Sequence, residues 1–417
     1  MVSAADEDLL LAVQEGDRRR VKRILEAGVA SVNGGPDQLV MPLVTAAGKR
    51  DISMVKLLLK KGADTEVASE EEIHFFGVAA KMKGTRALHL AAGFSGAAVV
   101  SLLLEAGANP NVRNSVGRSP LMYACELADK EQRVAVAQML VEAGADVLQP
   151  ANDGLVPLYY AAYRGYVPMI DFFLAKSPSA LNRSGRAGET ALCVAAQRGH
   201  EEAVRRLLSA GARSCIFVDN HSCALHCAAL QAHEGIVRLL VGRLDAMGGV
   251  NVLPGALQIA VEKRFPRILR ILLNAEGAGR QRHWAMFRAS SFPPLLHLAA
   301  EHEALSCASV LLVASADETV TDYNGHRAVD LIGRRLPGSA RNPKKQAAFR
   351  RMLARGSAFR ARSWAWRVGG SGTATAGAIR VFASADDKAT APLGVRIFRP
   401  ESANIFVRTM GRYARKL

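Results

Sequence analysis

The sequence predicts an all-α fold: a solenoid of stacked helix–turn–helix units joined by short hairpin-like turns, followed by a basic C-terminal tail. Three observations predict it. A two-part pattern recurs along residues 5–333 with a modal spacing of 33 residues. Apolar residues make up 49% of the 417 while aromatics are only 6%, so the core is built of small aliphatic side chains. The whole net charge of +16 lies in the last fifth of the chain: residues 334–417 hold 19 Lys/Arg against Asp386, Asp387 and Glu401, which leaves 35 basic and 35 acidic residues before them. A neutral, repetitive body and a cationic tail are therefore separate objects. The apolar content excludes global disorder, and six cysteines are too few for a disulfide scaffold.

The first half of each unit is Gly-x-x-x-Leu followed by two small residues. It appears from Gly84 with Ala91-Ala92, from Gly117 with Ala124-Cys125, from Gly154 with Ala161-Ala162, and from Gly188 with Ala195-Ala196. The second half is an aliphatic run closed by Gly-Ala, as in Leu57-Leu58-Leu59 to Gly62-Ala63, Leu103-Leu104 to Gly107-Ala108, Met139-Leu140 to Gly144-Ala145, and Leu207-Leu208 to Gly211-Ala212. Units start near Ala5, Leu39, Gly84, Gly117, Gly154, Gly188, His221, Leu253, Phe292 and Gly325. Spacings longer than 33–34 residues place insertions in loops, the largest around 69–83 and 277–292. Ser119 and Thr190 stand at N-cap positions, where a hydroxyl satisfies orphan amides of the first helix. Pro120 and Pro157 take the first helical position, which needs no amide hydrogen. Ala-Ala pairs let neighbouring helices approach, Leu207 and Leu208 face the shared core, and Gly107, Gly144 and Gly211 end the second helix in a left-handed conformation. No unit of this length buries its apolar face alone, so stacking supplies the stability.

These motifs resemble the ankyrin repeat. The stretches Gly84-Thr85-Arg86-Ala87-Leu88-His89-Leu90-Ala91-Ala92, Arg118-Ser119-Pro120-Leu121 and Gly188-Glu189-Thr190-Ala191-Leu192 through Gly199-His200 to Val204 carry the likeness. It extends over about residues 5–333. The units at Leu253 and Phe292 are degenerate, and the first two lack the opening glycine. The resemblance implies a non-enzymatic, monomeric module that binds another protein, with no cofactor.

Little in the sequence suggests catalysis. There is no phosphate loop, no His-Glu-x-x-His and no Gly-x-Ser-x-Gly. The strongest metal-like cluster is His221, Cys223, His226 and Cys227. Packing explains it better, because His226 occupies the histidine position of the repeat, as do His89 and His297, and residues 226 and 227 point about 100° apart on a helix. His200, in the turn between helices, and the His302/Cys307 pair are read as structural, and no metal site is expected. The uncharged window from Arg86 to Glu105 is interrupted by Gly93, Ser95 and Gly96 and reads as helix–turn–helix, with no membrane span. The acidic start carries no secretory signal, so a cytoplasmic or nuclear location with reduced thiols is expected.

Binding is expected at the turn tips and on the concave face of the first helices. The tips comprise Arg113, Asn114 and Val116, then Asn152 and Asp153, then Arg183 and Arg186, then Asp219 and Asn220. On the concave face the expected patch is Tyr160, Tyr163 and Arg164, with one of Tyr159 and Tyr160 at the histidine position. Residues 334–354 read as a helix capping the array through Phe349, Met352 and Leu353. Beyond Arg355 the tail interleaves Arg360, Arg362 and Arg367 with Trp364 and Trp366, runs through a Gly/Ser-rich linker, and holds three brief alternating runs suggestive of strands near 379–382, 395–398 and 405–408. Such a tail suits nucleic acid or an anionic surface. Three functions follow: a protein-binding scaffold, a nucleic-acid-associated adaptor that uses the tail, or a substrate-recruiting subunit of a larger enzyme complex.

Overall fold

A computed structural model describes residues 4–35, 41–69, 83–213, 223–243, 246–274, 294–314, 316–322, 324–334 and 342–355. Asp219, Asn220 and His221, both large insertions from 70 and from 275, and every tail residue beyond Arg355, including Arg360, Arg362, Trp364, Trp366 and Arg367, lie outside the described residues. The chain divides into two compact parts, Met1–Ile259 and Ala260–Leu417.

In the first part the helices come in pairs: α1 (Ala4–Glu15) with α2 (Arg18–Glu26), α3 (Pro42–Gly48) with α4 (Ile52–Lys60), then, after strands β1 (Ala68–Ser69) and β2 (Thr85–Arg86), α5 (Ala87–Leu90) with α6 (Ala97–Glu105). Four more pairs follow: α7 (Pro120–Ala124) with α8 (Lys130–Glu142), α9 (Pro157–Arg164) with α10 (Val167–Lys176), α11 (Ala191–Arg198) with α12 (Glu201–Ser209), and α13 (Ala224–Leu230) with α14 (Glu234–Val241). Each first helix packs on the next first helix, from α1 through α13 in odd steps, and each second helix on the next second helix, from α2 through α14. This is a two-layered stack of helical hairpins. The core runs between the layers through Leu88, Leu103, Leu121, Leu140, Leu158, Ile170, Leu192, Leu207, Leu225 and Leu240, all fully or almost fully buried.

Local sequence explains each boundary. Pro120 and Pro157 open their helices, and Thr190 Oγ1 accepts the Cys193 amide at 3.2 Å. Ser119 departs from the expected capping: it stands at the N-cap, but its hydroxyl is buried without a hydrogen-bond partner, so Pro120 alone marks that helix start. Asp17, Asp51 and Asp129 cap second helices through their carboxylates. Gly62, Gly107, Gly144 and Gly211 have φ between 86° and 95°. Just past them, the amides of Ala63, Ala108, Ala145 and Ala212 return to the carbonyls of Leu58, Leu103, Leu140 and Leu207, which closes each second helix.

The turn inside most pairs holds a left-handed residue as well, that between α7 and α8 being the exception among the described pairs. Gly165 (φ 69°) and Gly199 (φ 80°) supply it, and a Cβ at either would stand 2.6 Å from the ring of His200 or His233. Those rings bond back to the previous repeat: His200 Nε2 donates to the Tyr163 carbonyl at 2.9 Å, and His233 Nε2 to that of Gln197 at 3.2 Å. Four other repeats keep the geometry without the glycine, at Arg50 (φ 61°), Ala232 (φ 61°), Arg264 (φ 60°) and Glu303 (φ 49°). A side chain there costs roughly 1–2 kcal/mol, offset in part by the greater unfolded-state freedom of glycine. Ala232→Gly is therefore expected to stabilise the chain by about 0.5–1 kcal/mol, seen as a higher urea midpoint; a lower midpoint would contradict this reading of the turn.

The Arg86–Glu105 window is broken as expected, into α5, a π-helical turn Ala91–Ser95 and α6, with Gly96 at φ 83°. No helix among the described residues is long and apolar enough to cross a membrane. The longer fourth repeat spends its extra residues on α8, which has 13 residues where α6 and α12 have 9; in its first turn buried Arg133 donates to the carbonyls of Leu127 (2.5 Å) and Ala128 (3.4 Å) and stacks on Tyr166.

In the second part, helix Leu305–Val313 packs against Pro266–Leu273, Leu295–Glu301 and Pro343–Ala354. The last of these buries Phe349, Met352 and Leu353. It also contacts the 3₁₀ turn Ala328–Leu331, and Gln346 Nε2 reaches Glu303 Oε1 at 2.6 Å.

Candidate functional site

The tips form first from backbone chemistry. In each hairpin the leading glycine takes positive φ (Gly84 77°, Gly117 79°, Gly154 84°, Gly188 81°), and the chain folds back through bonds such as Asn114 N–H to Arg118 O and Ala151 N–H to Leu155 O. Neighbouring tips are then joined to one another: Ser115 N–H donates to Lys83 O (2.8 Å), Asn152 N–H to Val116 O (3.0 Å), and Arg186 N–H to Asp153 O (2.6 Å). The tip row is thus a continuous hydrogen-bonded ribbon, a feature the sequence does not announce.

That ribbon decides what the predicted tip residues do. Asn114 is buried; its Oδ1 accepts the amides of Val116 and Arg118, and its Nδ2 donates to the buried Tyr123 hydroxyl at 2.9 Å. It is a turn-forming residue and offers no surface, which corrects its assignment to binding. Arg113 and Asn152 are exposed but tied together, Nη2 to Oδ1 at 2.9 Å, and Asn152 Nδ2 also donates to Ser115 O. Val116, Asp153, Arg183 and Arg186 present exposed side chains.

On the first-helix face, Tyr159 takes the third helical position of α9, where His89 stands in α5, so it is Tyr159 that fills the histidine position. Burial pushes its phenol up to about 12, with Glu189 adding to the shift. Tyr160 points inward and is only 6% exposed, its hydroxyl without a hydrogen-bond partner of good geometry. Its expected place in the binding patch is therefore corrected: the side chain is buried, with Arg118 of the preceding repeat over its ring. Tyr163 and Arg164 do reach the surface.

Around them the structure assembles residues that sequence reading passed over. Arg118 Cζ lies 4.8 Å from the Tyr160 ring centre, and its Nη1 is 3.5 Å from Glu126 Oε1. Arg164 Nη2 stands 3.9 Å from the same oxygen, and its Cζ 5.8 Å from the Tyr163 ring centre. Arg198 Cζ lies 4.0 Å from the same ring centre, and its Nη2 donates to the Tyr163 hydroxyl. Three guanidiniums, one carboxylate and an aromatic ring thus form a connected file across three successive repeats. The signal that finds Arg198 is repeat phase: Arg164-Gly165 and Arg198-Gly199 are the same two positions 34 residues apart. Arg118 and Glu126 carry no such signal, since the same positions of the next repeat hold Leu155 and Tyr163.

Of the cysteine–histidine cluster, His221 lies outside the described residues, and His226 and Cys223 are tied into the repeat. His226 Nδ1 accepts the Cys223 amide (3.3 Å), and Nε2 donates to the Val252 carbonyl (2.9 Å). Cys193, from the preceding repeat, is the thiol that meets Cys227, and the hydrogen bond from Cys227 lowers the Cys193 thiol below its ordinary value. Among the described residues no group of three or more His, Cys, Asp or Glu is placed to hold a metal ion.

Comparison with known proteins addresses the repeat directly. A family model described as ankyrin repeats (3 copies) matches residues 9–114, 71–151, 88–182 and 158–253, more than half of the chain. The chain belongs to the ankyrin-repeat family. Ankyrin repeat protein nuc-2 of Neurospora crassa is 32% identical over 171 residues, 40% of this chain and 16% of that protein. The palmitoyltransferase AKR1 of Lachancea kluyveri is 26% identical over 240 residues, 57% of this chain and 30% of that protein. The E3 ubiquitin-protein ligase KEG of Arabidopsis thaliana is 28% identical over 332 residues, 77% of this chain and 17% of that protein. The chain spans less than a third of the length of each of these relatives. Ankyrin repeats are non-catalytic protein–protein interaction modules, so residues 9–253 form an interaction domain.

Proposed function

We propose that this ankyrin-repeat protein is a non-enzymatic scaffold that holds its protein partner on the first-helix face of the repeats starting at Gly117, Gly154 and Gly188, with the adjoining tips as a second contact. The observation that carries the reading is the Arg118–Glu126–Arg164–Tyr163–Arg198 file. Helix packing does not require an exposed file of this kind, and arginine and tyrosine are the side chains that most often anchor interfaces. Stacking on three consecutive repeats holds the side chains in place before binding, which reduces the ordering cost of association.

The test is partner capture with the full chain and with Tyr163→Ala, compared by quantitative mass spectrometry. The variant is expected to lose a defined partner set at least about tenfold while its melting temperature stays within about 2 °C. An unchanged partner set from both Tyr163→Ala and a tip variant, Asp153→Lys, would remove the reading.

A second reading rests on the charge of residues 334–417, 19 basic against three acidic. In it, Arg360, Arg362 and Arg367 hold nucleic acid while the array recruits a protein. Oligonucleotide affinity should then fall steeply between 50 and 200 mM salt (about 10³-fold for six phosphate contacts). A salt-insensitive affinity, or one unchanged by replacing the three arginines with glutamine, would rule this reading out.

A further inference from the structure

The charge and spacing of the file on the first-helix face point to the kind of segment it receives. We infer that the partner docks through an extended acidic peptide whose carboxylates alternate along the chain. The inference rests on the scaffold reading above and adds the chemistry of the partner.

The argument starts from charge. Arg118 and Arg164 face one carboxylate, Glu126, and Arg198 stacks on Tyr163 beside Arg164, so within contact distance along the file three guanidiniums meet a single carboxylate. Glu126 is only 20% exposed, whereas the side chains of Arg118 and Arg164 are 34% and 44% exposed, so the carboxylate sits beneath the guanidiniums and positions them. A guanidinium has five N–H donors, and these ion pairs and ring contacts occupy only part of each set. The remaining donors suit paired carboxylate oxygens.

Spacing comes next. Arg118 and Arg164 place nitrogens 3.5 and 3.9 Å from one Glu126 oxygen, so the two nitrogens are no more than about 7 Å apart. Arg164 and Arg198 lie 5.8 and 4.0 Å from one Tyr163 ring centre, so their Cζ atoms are no more than about 10 Å apart. An extended peptide puts same-face side chains about 6.6–6.8 Å apart at every second residue. These upper limits accommodate acids at i, i+2 and i+4, whereas the same number of acids in a contiguous block directs half of them away. A nucleic acid fits less well: Glu126 lies in the file, and Asp153 and Glu189 flank Tyr159 close enough to raise its phenol. Those carboxylates repel a continuous polyphosphate but leave room for a short segment with neutral residues between its charges.

The experiment uses the full chain at 150 mM salt and a fluorescein-labelled eight-residue peptide alternating Asp and Thr, read by anisotropy. Arg164→Gln/Arg198→Gln is the variant, since both side chains are exposed and the tail is left intact. A photo-crosslinking version of the peptide is mapped by mass spectrometry. The expected result is binding weakened at least tenfold in the variant with its thermal melt unchanged, weaker binding of a four-Asp block of equal charge, and cross-links within residues 118–198. Equal affinity in wild type and variant, cross-links confined to residues 334–417, or tighter binding of a single-stranded oligonucleotide at the same cross-linked residues would each overturn the inference. If the peptide fails while Tyr163→Ala still loses its partners, the scaffold reading stands and only the acidic-segment chemistry falls.

Discussion

Leu207→Asp is expected to unfold the repeats around α12. Leu207 is completely buried, on a second helix that packs against α10 on one side and α14 on the other. Removing a leucine side chain from such a site costs about 2–5 kcal/mol in transfer and cavity energy. The carboxylate adds a desolvation penalty with no cation placed to answer it. The total is at least about 4 kcal/mol, a large share of the stability of an ordinary domain. Because repeats stabilise one another through nearest-neighbour interfaces, losing one interface divides the stack instead of lowering its stability evenly. Thermal melts by circular dichroism should show a fall in midpoint or a split transition. Glu202→Ala, one turn away and 76% exposed, should change stability by a few tenths of a kcal/mol. Equal melts for Leu207→Asp and wild type would show the helix phase to be misassigned.

Acid should loosen the stack through His89. The ring is fully buried; its Nδ1 accepts the Arg86 amide at 3.1 Å and its Nε2 donates to the Arg118 carbonyl of the next repeat at 3.0 Å. An amide can only donate and a carbonyl can only accept, so this pair of bonds requires the neutral ring with its proton on Nε2. Burial chiefly, with Arg86 nearby, lowers the imidazole from its ordinary 6.5 to about 4. A depressed pKa means the unfolded chain binds the proton more readily between those values. Stability is therefore fully present above about pH 6.5, declines as pH falls towards 4, and loses nothing further to this group below that. The shift corresponds to about 3 kcal/mol. His297, in the second compact part, is lowered in the same direction, again chiefly by burial. Urea midpoints at pH 7.5 and 4.5 should differ markedly in the wild type and less in His89→Gln. Identical pH dependence in the two would show that His89 does not carry the effect.

Much of the fold was legible because each repeat restates local rules. The positions of Pro120 and Pro157, the cap at Thr190, the glycines ending second helices and the leucine pairs all follow from short-range chemistry, and repetition multiplies a weak signal. Ser119 shows the limit: an N-cap identity does not decide where a hydroxyl points once the helix has packed. The site was less legible. Asn114 and Tyr160 looked like surface residues, because one sits in a turn and the other on a helix flanked by tyrosines. Burial at those places depends on the neighbouring repeat, which single-repeat patterns do not describe.

By itself the sequence determined the ankyrin repeat, the prolines, glycines and Thr190 that open and close its helices, and the segregation of charge into the last fifth of the chain, since all of these depend on residues close together along the backbone. Only the tertiary structure decided that Arg118, Glu126, Arg164, Tyr163 and Arg198 form one file, that the tips bond into a ribbon, and that Cys193 meets Cys227. Stacking brings residues about 33 positions apart into contact, and which side chains then touch depends on the rotation and spacing between repeats.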